Sequence, residues 1–97
     1  MSKLTWPDKD PDAYKDFALD WSAMLQEGET ITDATWSIPA DLTASGQTVS
    51  GGLAVVWLAG GVAGQSYPCM CQITTSRGMI DQRTVHIKVK EQNVKIG

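Results

Sequence analysis

Three aspartates near the N-terminus have the spacing of a calcium-binding loop. Asp8, Asp10 and Asp12 alternate with other residues, as the first ligands of such a loop do. The sixth position is Ala13, where that loop requires glycine, and the twelfth is Leu19, where it places a bidentate glutamate. These differences exclude a helix–loop–helix calcium site. Two interpretations stay open, a looser surface calcium site and a solvated acidic segment.

Two cysteines, Cys69 and Cys71, lie two residues apart in a predicted strand. Their Cα atoms would then be about 6.5–7 Å apart on one face, at or beyond the usual limit for a disulfide bond. With one histidine in the chain, the pair also falls short of the four ligands of a zinc site. The pattern predicts two buried free thiols, as expected for synthesis in a reducing compartment.

No set of residues indicates catalysis. A catalytic histidine needs a nucleophile and an orienting acid nearby, whereas His86 lies between Thr84 and Lys88 on the outward face of a predicted strand. Asp16 and Asp20 would be about 13–14 Å apart at four strand rises, too far for an acid–base pair. The sequence has no GxSxG, HExxH or phosphate-binding glycine motif. We therefore predict a protein that is not an enzyme and needs no cofactor.

The residues discussed above lie mostly on predicted short strands. Phe17, Leu19 and Trp21 alternate with other residues, which predicts a half-buried strand over residues 14–22. A helix competes there, because Phe17, Trp21 and Leu25 are also four apart, but aromatic residues favour sheets. Similar patterns, separated by glycine-containing turns, predict further strands over residues 30–38, 42–50, 53–59, 67–75 and 84–90, the second of these as short edge strands interrupted by a glycine.

About seven short strands without a long helix predict an all-β fold, a sandwich of two sheets over residues 13–97. The run Leu53–Ala59 is apolar on both faces, which indicates a central strand covered on both sides. Before the sandwich, Pro7 and Pro11 interrupt any regular pattern of apolar residues. Residues 1–12 are therefore predicted to form an irregular N-terminal arm.

Composition describes one ordinary globular domain. The chain has 97 residues, of which 42% are hydrophobic and 20% charged. Its longest apolar run has seven residues, against the roughly 20 of a membrane helix, and residues 1–7 lack the apolar stretch of an export signal. These features argue against a membrane protein, a secreted disulfide scaffold and a multidomain enzyme.

Charge is unevenly spread along the chain. Residues 1–41 hold seven Asp and two Glu against three Lys, a net −6, whereas residues 42–97 hold one Asp and one Glu against two Arg and three Lys, a net +3. The sequence pI of about 4.8 argues against a nucleic-acid partner, since such domains usually have a pI above about 9. Opposite charge at the two ends would favour head-to-tail packing of copies.

The four tryptophans divide into two groups. Trp21, Trp36 and Trp57 fall on apolar strand faces and are predicted to lie in the core. Trp6 lies in the arm, where we expect it to dock on a neighbouring subunit with Asp8, Asp10 and Asp12 as charged partners. The alternative is that Trp6 folds back over the sandwich.

The last third of the chain resembles bacterial Ig-like modules. The carrying residues are Ala63-Gly64-Gln65-Ser66-Tyr67, then Thr75-Ser76-Arg77-Gly78, then a strand ending Val85-His86-Ile87-Lys88-Val89. The resemblance implies an Ig-like β-sandwich in which the tyrosine, Tyr67, hydrogen-bonds back across the preceding corner. It also implies that Trp36 is the core tryptophan. The usual cysteine pair between the sheets is missing, and Tyr67, Cys69 and Cys71 are expected in the core.

A wider resemblance covers most of the chain. Its motifs are Lys9-Asp10-Pro11-Asp12, Leu19-Asp20-Trp21-Ser22, Ala34-Thr35-Trp36-Ser37, Val56-Trp57-Leu58-Ala59-Gly60-Gly61, Ile73-Thr74-Thr75-Ser76 and Asp81-Gln82-Arg83-Thr84. In this order they resemble small tailed-bacteriophage proteins encoded among head and tail morphogenesis genes, in which polar or β-branched residues would be more usual at the two cysteine positions.

The resemblance implies a non-enzymatic virion structural protein, made in the host bacterial cytoplasm. We expect it to dock in multiple copies on capsid, neck or tail subunits, and to associate with itself, with a slight preference for decoration of the head. No nucleic acid or membrane partner is expected. The alternative function is a phage-borne Ig-like recognition module that binds a host-surface glycan or protein.

Overall fold

Residues 4–91, the part of the chain that the computed structural model describes, form seven strands in two sheets. One sheet has four strands in the order β1-β7-β6-β3, and the other has three in the order β2-β5-β4. The buried side chains of both sheets meet between them, which confirms the predicted all-β sandwich. The strands are β1 (Leu4–Thr5), β2 (Lys15–Asp20), β3 (Ile31–Ser37), β4 (Leu42–Ser50), β5 (Leu53–Gly60), β6 (Ser66–Thr75) and β7 (Ile80–Lys88).

Helical structure is minor in this fold. Within residues 4–91 it is limited to a three-residue 3-10 turn, Ser22–Met24, which follows β2. No helix in that range is long and apolar enough to cross a membrane.

Alternation decides which side chains reach the core. In β6 every second residue from Tyr67 to Thr75 is buried, whereas those between them are exposed or half-buried. β2 buries Phe17 and Leu19 in the same way, and Trp21 is buried just beyond it. The strand, and not the competing helix, therefore forms here, because only a two-residue period places these three side chains on one face.

β4 is a single edge strand, whereas the sequence predicts several short ones. It pairs with β5 along its length, and the register shifts between Ser45 and Thr48. Gly46 lies in this shift with a positive φ of 58°, a conformation that favours glycine. The glycine thus bends the strand without ending it.

The structure corrects the prediction that Trp57 lies in the core. β5 is central in its sheet, but its fully buried side chains are Ala54, Val56 and Leu58. Trp57 alternates with them, faces away from the second sheet and is half-buried. A run that is apolar at every position does not show which of its faces is inside, and a two-layer sandwich covers only one of them.

Residues 4–9 lie along β7 and its continuation, which differs from the irregular arm expected over residues 1–12. β1 pairs with β7 in parallel, and farther on the backbone N–H of Lys9 donates to Lys88 O at 2.9 Å. The carbonyl of Lys9 accepts the N–H of Lys90 at 2.8 Å. Pro7 has no N–H to donate, but it lies between the two paired stretches, so the segment resumes its pairing after it.

A buried lysine fixes this segment to the end of β5. Lys9 has no exposed surface, and its Nζ donates to the carbonyl oxygens of Asp10 at 2.9 Å and Gly60 at 2.8 Å. Burial lowers the pKa of Lys9, and the nearby carboxylates of Asp10 and Asp12 oppose that shift. The N-terminal segment is therefore held by both sheets.

The tyrosine corner implied by the Ig-like resemblance is present. The Tyr67 hydroxyl accepts the N–H of Val62 at 2.9 Å and donates to Asp41 Oδ2 at 3.0 Å. It thereby ties the β5–β6 connection to the residue that precedes β4.

Candidate protein interface

Trp6 packs onto the sandwich. The sequence predicts that it docks on a neighbouring subunit, with folding back over the sandwich as the alternative. Its ring centroid lies 5.0 Å from that of Phe17 and 5.7 Å from that of Trp36. Its Nε1–H donates to the Ala18 carbonyl at 3.0 Å, at the free edge of β2. The half-buried indole therefore closes one side of the sandwich.

Of the three aspartates with the calcium-like spacing, Asp10 stabilises a turn. Asp8 and Asp12 are exposed, whereas Asp10 is almost fully buried. Asp10 Oδ1 accepts the backbone N–H of Asp12 at 2.8 Å, and its carbonyl accepts that of Ala13 at 3.0 Å. Across residues 4–91, no three His, Cys, Asp or Glu side chains are grouped so as to hold a metal ion.

The remaining core candidates are placed between the sheets. Trp21, Trp36 and Tyr67 are buried, and the guanidinium of Arg83 lies 4.5 Å from the centroid of the Trp21 ring. Cys69 and Cys71 are free thiols without exposed surface. Their burial raises the pKa of each to about 11, which a smaller effect of Trp21 opposes at Cys71.

The outer face of the three-stranded sheet, which faces away from the core, is apolar along its centre. The register of the strands places three outward side chains in each of three adjacent rows and two in a fourth. β5 supplies an apolar residue to every row, while β2 contributes two aspartates and an alanine and β4 contributes small hydroxyl side chains. The rows are Asp16–Trp57–Ser45, Ala18–Val55–Thr48, Asp20–Leu53–Ser50 and Ala59–Thr43.

An aromatic pair occupies one end of this outer face. The ring of Tyr14 lies 5.1 Å from that of Trp57 and is inclined to it by 33°. The hydroxyls of Tyr14 and Ser45 share a hydrogen bond of 2.8 Å. Gly46 also lies so close to the indole that an added Cβ would be 2.8 Å from Trp57 Cδ1. Trp57 is thus held in place, while Tyr14 remains 56% exposed.

The outer face of the four-stranded sheet has a different character. There the corresponding rows are Asp33–Thr74–Ile80, Thr35–Gln72–Gln82, Ser37–Met70–Thr84 and Pro68–His86–Thr5. Ile80, at the start of β7, is a 65% exposed aliphatic side chain at one end of this face. Polar side chains dominate these rows, as is usual for a solvated sheet face. The contrast singles out the outer face of the three-stranded sheet as a candidate protein interface, since exposed aromatic and aliphatic patches mark such sites.

The predictions from the sequence did not include this candidate interface, although the sequence contains a signal for it. β5 is apolar at every position from Leu53 to Ala59, in a chain large enough for only two layers. Half of these side chains must therefore face outward. The length of the chain and the unbroken apolar run are together enough to predict an apolar outer face.

Two open cavities lie elsewhere on the surface. One of about 290 Å³ is lined by Thr5, Trp6, Asp8, Ser66, His86 and Lys88, and one of about 200 Å³ lies between the edges of β3 and β4. His86 Nδ1 has no hydrogen-bond partner in the described part of the chain. The larger cavity has a serine, a histidine and an aspartate in its lining, Ser66, His86 and Asp8, but the unbonded Nδ1 shows that no orienting acid holds the imidazole through that atom.

Comparison with solved structures defines the class of the fold. The chain is similar to the solution structure of the PKD domain from KIAA 1837 protein, with a TM-score of 0.53 and 20% sequence identity. The match covers 98% of this chain and 85% of that domain. At this identity the likeness shows the fold alone, a PKD-like member of the Ig-like β-sandwiches.

The sequence family is more specific. Residues 9–88 match the family described as Podophage GP4 fiber-tail adaptor protein gp77, and the chain belongs to that family. No curated protein matches the chain significantly. The matched residues include β2 to β7, so the family unit is the sandwich itself.

Family membership makes this chain a tail-associated structural protein of a phage virion. It confirms the prediction of a phage virion protein with an Ig-like fold. The description of the family refers to the tail and not to the head. It therefore gives no support to the expected preference for decoration of the head.

Proposed function

We propose that this chain is a non-enzymatic adaptor that binds to the podophage tail in several copies and holds a tail fiber there. The family match over residues 9–88 carries the proposal, because the family is described as a fiber-tail adaptor. The fold supports it as well: Ig-like sandwiches are rigid units whose exposed faces and loops bind other proteins.

An adaptor needs two surfaces, one for each protein that it joins. The outer face of the three-stranded sheet offers an apolar surface, whereas the outer face of the four-stranded sheet is polar and includes Lys88. Because the two faces lie on opposite sides of a two-layer sandwich, two partners can bind without competing. Repetition of the unit around a symmetric tail would make weak single contacts durable.

The proposal is tested with phage from which the gene for this chain is deleted. Particles purified from the deletion strain are expected to retain the tail but to lack the fiber protein, measured by quantitative mass spectrometry. Adding the purified chain together with the fiber protein should restore the fiber, whereas the fiber protein alone should not. Deletion particles with the wild-type amount of fiber would contradict the adaptor function.

A further inference from the structure

We propose that the outer face of the three-stranded sheet docks on another tail protein, whose contact surface is apolar at its centre and carries lysine or arginine along one edge. This inference rests on the proposed function and assigns one of the adaptor's two binding surfaces. The occupant follows from the chemistry of the face, the size of the face and the position of its charges.

The centre of the face is apolar and accessible. Leu53 is 39% exposed, while Val55, Trp57 and Ala59 are half-buried by neighbours on their own sheet. The described residues form no third sheet over these side chains, and Tyr14 packs against Trp57 at one end of the face. Covering them with an apolar partner would remove them from water, which is the main favourable contribution to most protein association.

The aromatic residues are arranged for a protein partner and not for a glycan. Sugar binding requires an open aromatic ring face with free polar groups beside it. Here the ring of Trp57 packs against Tyr14, Gly46 lies close to its Cδ1, and the Tyr14 hydroxyl is hydrogen-bonded with Ser45. The rest of the centre is aliphatic, which suits the side chains of another protein.

The size of the face argues against a second copy of this chain as the occupant. Three strands about 4.8 Å apart and four rows about 6.8 Å apart span about 400 Å². A stable interface usually buries about 800 Å² on each partner. Two identical faces brought together would reach about half of that, whereas a different protein can extend its contacts beyond the edge of the sheet.

The charges on the face lead to the same conclusion. Asp16 and Asp20 are exposed along β2, and none of the outward positions in the four rows is a lysine or arginine. Two copies face to face would add further carboxylates and no cation. A partner with basic residues beside β2 would instead be guided to this side of the sandwich by opposite charge.

The experiment measures binding of purified variants to tail-bearing particles from the deletion strain, by co-sedimentation over a range of concentrations. Leu53→Thr removes an exposed apolar side chain from β5 but keeps a residue that favours strands. We expect it to weaken binding about tenfold, and Leu53→Thr combined with Val55→Thr to weaken it about a hundredfold. Circular dichroism and urea unfolding establish that each variant remains folded.

Met70→Thr is the matched control. Met70 is a half-buried outward residue on β6, which is flanked by strands on both sides, as β5 is in its own sheet. Because it belongs to the polar outer face, Met70→Thr is expected to bind these particles like the wild-type chain. Equal binding by the Leu53 variant, the Met70 variant and the wild-type chain would overturn the inference and leave the adaptor function standing.

The predicted basic edge is tested through charge. Asp16→Asn is expected to slow association and to reduce the salt dependence of binding, because a rim charge acts mainly on the encounter rate. Asp33→Asn removes the same charge from β3 in the other sheet and should leave both quantities unchanged. An Asp16 variant that binds faster than the wild-type chain would overturn the assignment of a basic partner edge.

Three further outcomes would overturn the inference. Failure of the wild-type chain to bind the particles would overturn both the inference and the adaptor function. A dimer in light scattering that Leu53→Thr dissociates would assign the face to a second copy. Binding of the chain to purified host-surface polysaccharide, abolished by Tyr14→Ser, would assign it to a glycan.

Discussion

Single buried polar groups connect parts of the chain that are far apart in sequence. Glu29 accepts the backbone N–H of Gln26 at 2.9 Å through one carboxylate oxygen and the Thr75 hydroxyl at 2.6 Å through the other. Arg77 hydrogen-bonds the side chain of Gln26. These contacts join the loop before β3 to the β6–β7 hairpin. A separation of 46 residues between Glu29 and Thr75 explains why the sequence pattern does not predict them.

Glu29 should make the stability of the fold depend on pH. The Gln26 N–H and the Thr75 hydroxyl, with help from Arg77 and against the effect of burial, lower the pKa of Glu29 below its ordinary value of 4.5. Since this pKa is lower in the folded chain, the stabilising contribution is fully present above 4.5 and is lost as pH falls through the lowered value.

Glu29→Gln is therefore expected to reduce the free energy of unfolding at neutral pH and to weaken its decrease on acidification. Urea unfolding measured at several pH values checks both expectations. Glu27→Gln, an exposed position in the same loop, serves as the control and should follow the wild-type curve. The same pH dependence in both variants and the wild-type chain would contradict the role of Glu29.

The two cysteines should be unreactive in the folded protein. Both have no exposed surface, and burial raises the pKa of each to about 11. At about pH 8 only about one thiol in a thousand would be ionised, and the thiolate is the reactive form. We expect iodoacetamide to modify neither residue in native buffer and both in concentrated urea, as measured by mass spectrometry. Rapid modification of the native protein would contradict the burial of these thiols.

At the scale of strands, the β4–β5 hairpin provides most of the candidate interface. Gly46 and Gly51 both have positive φ values, 58° and 59°, but only Gly46 contacts Trp57. An alanine at either position would adopt an unfavourable left-handed backbone, which costs about 1 kcal/mol. At Gly46 the added Cβ would also lie 2.8 Å from Trp57 Cδ1, whereas at Gly51 it would meet nothing within 4 Å.

Gly46→Ala should therefore destabilise the fold more than Gly51→Ala, by about 1–3 kcal/mol beyond the shared backbone cost. Chemical unfolding of the two variants measures this difference. The tryptophan emission spectrum should change on Gly46→Ala alone, because the indole must move. Equal destabilisation by the two substitutions would contradict the close contact between β4 and Trp57.

The buried side of a strand is predictable from the sequence where apolar and polar residues alternate strictly, but not where every position is apolar, as in β5. β2 and β6 follow a two-residue period, so their buried sides can be predicted from residues such as Phe17 and Cys69. The two residues of β1 are too few to show a period, and their pairing with β7 is made across about 80 residues of chain. The placement of residues 4–9 along β7 and its continuation is therefore evident only from the structure.

The same limit applies to the site. The sequence indicates Trp6 as an interface residue because an aromatic residue in a proline-bounded segment has no evident place in the core. The structure shows that place, between Phe17 and Trp36. The docking role of Trp6 with Asp8, Asp10 and Asp12 stays a prediction, whereas the apolar outer face follows from the uninterrupted run in β5.

At the scale of the whole molecule, the sandwich is asymmetric. One outer face is apolar at its centre and acidic along one edge, and the other is polar. The N-terminal segment covers the free side of β7, and Trp6 bonds to the edge of β2. A unit with two different faces is suited to a position between two different proteins, as the adaptor family implies.

Cryo-electron microscopy of the virion, compared with particles from the deletion strain, tests the adaptor function most directly. The account predicts that the difference density lies where the fiber meets the tail, and that the sandwich fits it with the outer face of the three-stranded sheet against a neighbouring tail protein. Difference density on the capsid, or at the tail with the fiber still attached in the deletion particles, would contradict it.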